Sequence, residues 1–268
     1  MSEGEVGIGA IGGGIASVVA MACMASIAIA ASVNVDKDGN VSCDEKLFEE
    51  IYKALVGAYI PGTPDQLDFQ SIINNVKANR TRVTKDQLEE MFSKYGYFLK
   101  GKVDDDMVNH VNFTLNKYIV DGCTDDAKIK NRIRNFLAQG MHESNFGFIE
   151  EGSEAYIASK NYQGGSNYRG VGFIQVTHLE AYQKFTNSIN DQEVVKQGYK
   201  YVAEKYPWEI GGFWWKDNTM NKLVDNGATM KQVGNAVNKG RGAWNSPSNP
   251  YHEDERERAY KVVNEVIK

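Results

Sequence analysis

Apolar residues recur at helical spacing through most of this chain. Leu47, Phe48, Ile51, Tyr52 and Leu55 share one face of a helix that Asp44 caps and Pro61-Gly62-Thr63-Pro64 ends. Phe69, Ile72, Ile73 and Val76 make a second stripe. Thr84-Lys85-Asp86-Gln87 is a capping box, in which a hydroxyl and an amide satisfy the free backbone N–H groups of a helix start. It opens a third helix that buries Leu88, Met91, Phe92 and Tyr95. Met107, Val108, Val111, Leu115, Tyr118 and Ile119 give a fourth. Together they predict a helical bundle over residues 36–122, read as a spacer, a docking module or a lobe packed on the C-terminal domain. The turn residues Asp121-Gly122 and the helix start at Asp125-Asp126 put that domain at residues 123–268.

In that second region Ile129, Ile133, Phe136, Leu137 and Met141 predict a helix from about 126 to 142 that carries His142 and Glu143 at its C-terminal end. A strand is predicted near 171–177. Its period of two puts Ile174 and Val176 in the core and Phe173, Gln175 and Thr177 on the opposite face, with Gln175 and Thr177 toward a cleft. One helix is expected over about 191–206, carrying Val194, Val195, Tyr199, Val202 and Tyr206. Gly212-Phe213-Trp214-Trp215 reads as core. A second capping box, Thr229-Met230-Lys231-Gln232, opens a helix that ends at Val237-Asn238-Lys239-Gly240. The fold class expected is mainly α, an α+β domain with a small strand region, preceded by the bundle and an N-terminal apolar helix.

Residues 1–35 are glycine-rich and apolar, with no charge from Val6 to Val35, which is long enough to cross a hydrocarbon core of about 30 Å. This predicts a membrane span, with Gly9 and Gly13 spaced for close helix approach. The alternative is a segment buried against copies of itself, which makes a homo-oligomer. Glu3 and Glu5 precede the apolar run where a secretory signal would carry basic residues. Directly afterwards, Asn34 to Glu45 has oxygen ligands at loop positions one, three, five and nine, Gly39 at six and a glutamate at twelve. That is the spacing by which calcium is held in an EF-hand, with Asn34 replacing the usual aspartate. A turn at Asp38-Gly39 leading to Asp44 as a helix cap explains the same residues without a metal.

Composition narrows the function. The chain has 268 residues, is 42% hydrophobic and 11% aromatic, and carries a net charge of −5. Such a balance supplies a sizeable core and argues against a nucleic-acid partner, whose phosphates need a basic surface. The three cysteines, Cys23, Cys43 and Cys123, do not make a disulfide scaffold or a zinc site. A single Cys43–Cys123 bridge and free buried thiols both remain open.

Candidate chemistry centres on His142-Glu143-Ser144 and on Tyr168-Arg169-Gly170-Val171-Gly172-Phe173-Ile174-Gln175-Val176-Thr177. A carboxyl group at a helix C-terminus faces the negative end of the helix dipole, which favours its protonated form, as a general acid needs. These motifs, with Gly212 to Trp215, Val237 to Gly240 and the helix of Arg256 and Tyr260, resemble the lysozyme-like glycoside hydrolases of family 19, the chitinases and phage-type endolysins. The resemblance covers about residues 127–268. It implies that Glu143 protonates the glycosidic oxygen and that Glu151 or Glu154 activates water, at the separation an inverting glycosidase requires. It also implies that Thr177 helps hold that water and that Tyr168, Arg169, Gln175 and Asn238 bind sugar or shape the site. No catalytic metal is implied. Relatives carry an arginine at Val171 and an asparagine at Ala181, which puts particular sugar contacts in question. Arg256 is expected in a structural ion pair.

The substrate expected is peptidoglycan, cut by a protein that is membrane-associated or part of a phage or secretion machine acting on the cell wall. Two other readings are a delivery protein whose inactive hydrolase fold binds glycan, and a chitinase.

Overall fold

The computed structural model describes residues 24–35, 41–58, 72, 80–96, 103–144, 152, 154–160 and 162–268. The chain divides into two units, Met1–Arg80 and Thr81–Lys268. The division falls well before the expected boundary at residue 122. The capping-box helix and the helix after it bury their apolar faces in the core of the second unit, so they belong to it.

In the first unit, helical residues 24–32 lead into an antiparallel hairpin of β1 (Val33–Val35) and β2 (Val41–Cys43), with Asn34 opposite Ser42. Helix α1 (Glu45–Ala58) follows. Asp44 caps it, accepting a hydrogen bond from the Leu47 amide at 2.9 Å, and pairs with Arg80. Met24 and Ala28 pack with Ile51 and Leu55 in a small core. The apolar stretch thus ends in a strand at Val33 instead of continuing as helix. Among the described residues no helix is long and apolar enough to cross a membrane. Most of the apolar stretch, the middle of the expected calcium loop at 36–40 and Phe69, Ile73 and Val76 lie outside the described residues.

The second unit is mainly α. Its first helix, α2 (Lys85–Tyr95), starts at the predicted capping box, with Thr84 and Gln87 bonded to each other's backbone, and buries the four predicted apolar residues. The next, α3 (Asp105–Thr114), is capped by Asp104 and runs on as a wider π-helical turn over Leu115–Val120. The Asn112 side chain donates to Val83 O at 2.8 Å and accepts from the Val83 amide at 2.9 Å, which locks α3 to the segment leading into α2.

At the centre lies α4 (Asp126–Ser144), the longest of these helices, capped by Asp125. Short helices surround it: α5 (Glu154–Ser159), α6 (Leu179–Ile189), α7 (Glu193–Gln197), α8 (Tyr199–Lys205), α9 (Glu209–Asp217), α10 (Met220–Asp225) and α11 (Met230–Lys239). The closing helix α12 (Glu253–Val266) packs along α4 and against α2. The single helix expected over 191–206 is two, α7 and α8, broken at Gly198. That residue has φ +67°, and a Cβ there would overlap Asn167 O. A side chain would be strained and would collide, so the helix breaks where the backbones touch. Cys43 and Cys123 are free thiols, the first exposed and the second half-buried, so neither the bridge nor full burial is found.

Candidate active site

Helix α4 places Glu143 one residue from its end, beneath which Ile133, Phe136, Leu137 and Met141 are buried. Glu143 is fixed by Arg256, which comes from the first turn of α12. The Arg256 side chain is 2% exposed and that of Glu143 is 17% exposed. Arg256 donates from Nη2 to Glu143 Oε1, from Nη1 to Gln139 Oε1 at 2.6 Å and from Nε to Tyr251 O at 2.9 Å. The structural ion pair expected of Arg256 is therefore made with the candidate acid itself. A guanidinium keeps its charge at any working pH, so the negative end of α4 is joined by a permanent cation.

His142 lies on the other side of that helix end, its Nδ1 3.5 Å from Tyr95 Oη and 3.7 Å from a Glu255 carboxylate oxygen. Burial, followed by the charges of Arg256 and His252, pushes its imidazole down to about 3. Glu255 pulls the other way but is 56% exposed, and water screens it. His142 is thus a neutral packing and hydrogen-bonding group rather than a second acid.

Ser144 ties α4 to the segment that follows the glycine-rich loop. Its hydroxyl donates to Phe173 O at 2.6 Å. The Phe173 ring lies over Gly140, where a Cβ would overlap the ring carbons. Its centroid lies 4.7 Å from that of Phe136 and 5.0 Å from that of Trp208, with both rings tilted against it.

The predicted strand is instead a tight turn, closed by one bridge between Val171 and Val176. Gly172 (φ +71°) and Gln175 (φ +54°) reverse the chain between them. Alternation fails in consequence: Phe173 is fully buried beside Ile174 and Val176, while Gln175 and Thr177 remain half-exposed, as expected. Period two holds only for an extended chain, and two left-handed residues end it.

Gln175, Thr177 and Asn238 come together along one groove of about 330 Å³ that Trp214 and Lys239 also line. Asn238 accepts the Tyr251 amide at 3.1 Å, so the segment that supplies a backbone acceptor to Arg256 also holds this groove residue. Tyr168 and Arg169 are not in that groove. Tyr168 Oη donates to Val195 O at 3.0 Å, and Arg169 is 4% exposed, its guanidinium over Tyr199 at 4.1 Å and its carbonyl bonded by Tyr182 Oη at 2.8 Å. Both residues hold the glycine-rich loop to α6, α7 and α8. Glu151 lies outside the described residues, as does the side chain of Glu154, the first residue of α5.

The sequence marked Arg256 for an ion pair but not its partners, because its contacts with Gln139 and Glu143 span 117 and 113 positions. Trp214 looked like its neighbour. Trp215 is fully buried core, its indole N–H donating to Asn221 Oδ1 at 2.9 Å, whereas Trp214 is half-buried and lines the groove.

No family model matches the chain, and no curated protein matches it. Among solved structures it is similar to the crystal structure of chitinase C from Streptomyces griseus HUT6037 and to that of a chitinase C mutant. In each case the identity is 16% and the TM-score 0.46, over 70% of this chain and 94% of that one.

Proposed function

We propose that this protein is a glycan hydrolase that cleaves β-1,4 bonds between amino sugars, with peptidoglycan as its substrate. The observation that carries the reading is a partly exposed carboxyl group held by a buried arginine. One hydrogen bond, from Ser144 to Phe173, separates its helix end from the turn that lines a polar groove.

In this reading Glu143 gives its proton to the glycosidic oxygen as the bond to the anomeric carbon breaks. Glu151 or Glu154 takes a proton from the water that attacks the opposite face of the sugar, and Thr177 helps to place that water. Arg256 keeps the Glu143 side chain in one orientation through the cycle. Gln175 and Asn238 bind sugar, and Tyr168 and Arg169 act through the loop they hold. Delivery at or across a membrane through the apolar N-terminal stretch belongs to the same proposal.

A second reading keeps the groove and drops the reaction, making the protein a glycan-binding component of a delivery apparatus. Val171, which stands where relatives carry arginine and is buried in the turn, favours it.

The test is incubation of the full chain with purified peptidoglycan and, in parallel, with chitin oligomers, followed by mass spectrometry of released fragments. Peptidoglycan fragments from the wild type that fall by about 10²–10⁴-fold in Glu143→Gln are expected. Binding without products supports the second reading, and products from chitin alone replace the substrate.

A further inference from the structure

Glu209, the first residue of α9, is 9% exposed, and its carboxyl group makes no hydrogen bond or ion pair among the described residues. Other carboxylates set into this unit are held. Glu143 has Arg256, Asp225 has Arg132, and Asp191 accepts from the hydroxyls of Tyr201 and Tyr206. An ionised carboxyl group without a partner is costly to bury, whereas a protonated one is an ordinary polar group. We propose that the seat of α9 on α3 and its π-helical turn is a pH-sensitive latch, closed while the Glu209 carboxyl is protonated and loosened when it ionises. Nothing in the latch depends on what the groove binds.

The seat is tight. Gly212, one turn beyond Glu209, comes so close that a Cβ there would overlap Thr114 Cγ2 and the Tyr118 ring, and Phe213 meets that ring edge-on at 6.4 Å. Two more polar groups in this contact are bare, because Thr114 Oγ1 and Tyr118 Oη are buried without a hydrogen-bond partner. Neither reaches Glu209, so packing holds the contact and no side-chain donor of the seat meets the carboxyl group. The turn itself is π-helical, a rare form found frequently at functional sites. At the far end of α9, Lys216 Nζ pairs with Asp121 at 2.6 Å, which pins the last turn while the first depends on Glu209.

Burial lifts the Glu209 carboxyl above its ordinary value of 4.5, against the pull of Lys117 and His110, the cationic groups of α3 and its turn that reach it. The positive end of α9 pulls the same way as those cations. Tyr118 from the turn and Tyr206 from the segment before α9 stay neutral, since burial raises both phenols, that of Tyr206 to about 12 with help from Asp191. His110 is 37% exposed and lies 3.7 Å from an Asp106 carboxylate oxygen, so water and Asp106 temper its charge. Between the ordinary value and the raised one the folded chain holds a proton that the unfolded chain has released. The latch therefore contributes fully below about 4.5 and fails as the pH rises through the folded value. Trp214 stands five residues further on, about 140° round the helix, and lines the groove, so movement at the seat reaches the groove wall.

The test compares full-length wild type with Glu209→Gln, which keeps the shape and cannot ionise, in thermal melts from about pH 4 to about pH 8. The difference between the two melting temperatures should be constant at the acid end, and the wild type should then fall behind by a further 2 °C or so, about the shift that a modest change in stability gives a unit of this size. Amide hydrogen exchange, corrected for the intrinsic effect of pH, should quicken in the first turns of α9 and in the π-helical turn of the wild type as the pH rises. In Glu209→Gln it should not.

A constant melting difference from acid to neutral pH would overturn the latch, as would exchange in α9 that responds to pH equally in both proteins. Should Glu209→Gln not fold, exchange in the wild type decides alone. Quickening confined to the start of α9 and the turn upholds the latch, and a uniform change or none sinks it.

Discussion

The end of α4 and the groove beside it treat polar groups in opposite ways. At the helix end, Arg256 gives three of its N–H groups to protein acceptors, Gln139, Glu143 and Tyr251, in a nearly dry setting. Along the groove, Asn238 Oδ1 accepts the Tyr251 amide, while its Nδ2, the Thr177 hydroxyl and the Trp214 indole N–H have no protein partner among the described residues. A group that must deliver a proton to one atom gains from being fixed by the protein in advance, because orientation is then settled before substrate arrives. A group that must bind sugar gains from having no competing partner. The same fold therefore saturates one region and leaves its neighbour unsaturated.

The contrast breaks most sharply at Arg256. Arg256→Met removes the cation and leaves Glu143 and Gln139 Oε1 facing each other without a donor. Loss of one member of a buried pair costs about 3–5 kcal/mol, so the thermal transition of the second unit should fall strongly, and any hydrolysis with it.

A smaller effect is expected from His142. Its imidazole titrates near 6.5 in an unfolded chain and at about 3 in the folded one, so between those values the unfolded chain holds the additional proton. Its contribution is complete above about 6.5 and is lost as the pH falls toward 3. Melting temperature measured across that window should drop further in the wild type than in His142→Asn. Parallel curves for the two proteins would remove His142 from the account.

The least effect on stability is expected in the groove. Thr177→Val keeps the shape and deletes a hydroxyl that has no partner among the described residues, so stability should change by less than about 0.5 kcal/mol while glycan binding weakens. Calorimetry and a melt on one preparation check both halves. A large stability loss would mean that Thr177 belongs to the scaffold and that the two regions are not so different.

Much of this was legible along the chain. Capping boxes at Thr84 and Thr229 start their helices where local hydrogen-bonding chemistry says they must, and the stripes on α2, α3 and α4 bury the residues that helical periodicity picks out. Glu143 at a helix end follows from the same periodicity. Such features depend on residues within one or two turns of each other, and a sequence displays them directly.

The rest was decided by contacts between distant residues. Periodicity does not say that α2 and α3 share the core of the second unit, because an apolar stripe does not name its partner. Nor can it distinguish Trp214 from Trp215: adjacent residues on a helix point about 100° apart, and which direction meets the core depends on every neighbouring element. The turn at 171–176 read as a strand because Ile174 and Val176 alternate with Gln175 and Thr177, and only packing of Phe173 against Gly140 and Trp208 revealed the reversal. The pairing of Glu143 with Arg256 spans 113 positions of the chain. Local chemistry fixed where a carboxyl group would stand, and tertiary packing chose the charge that stands against it.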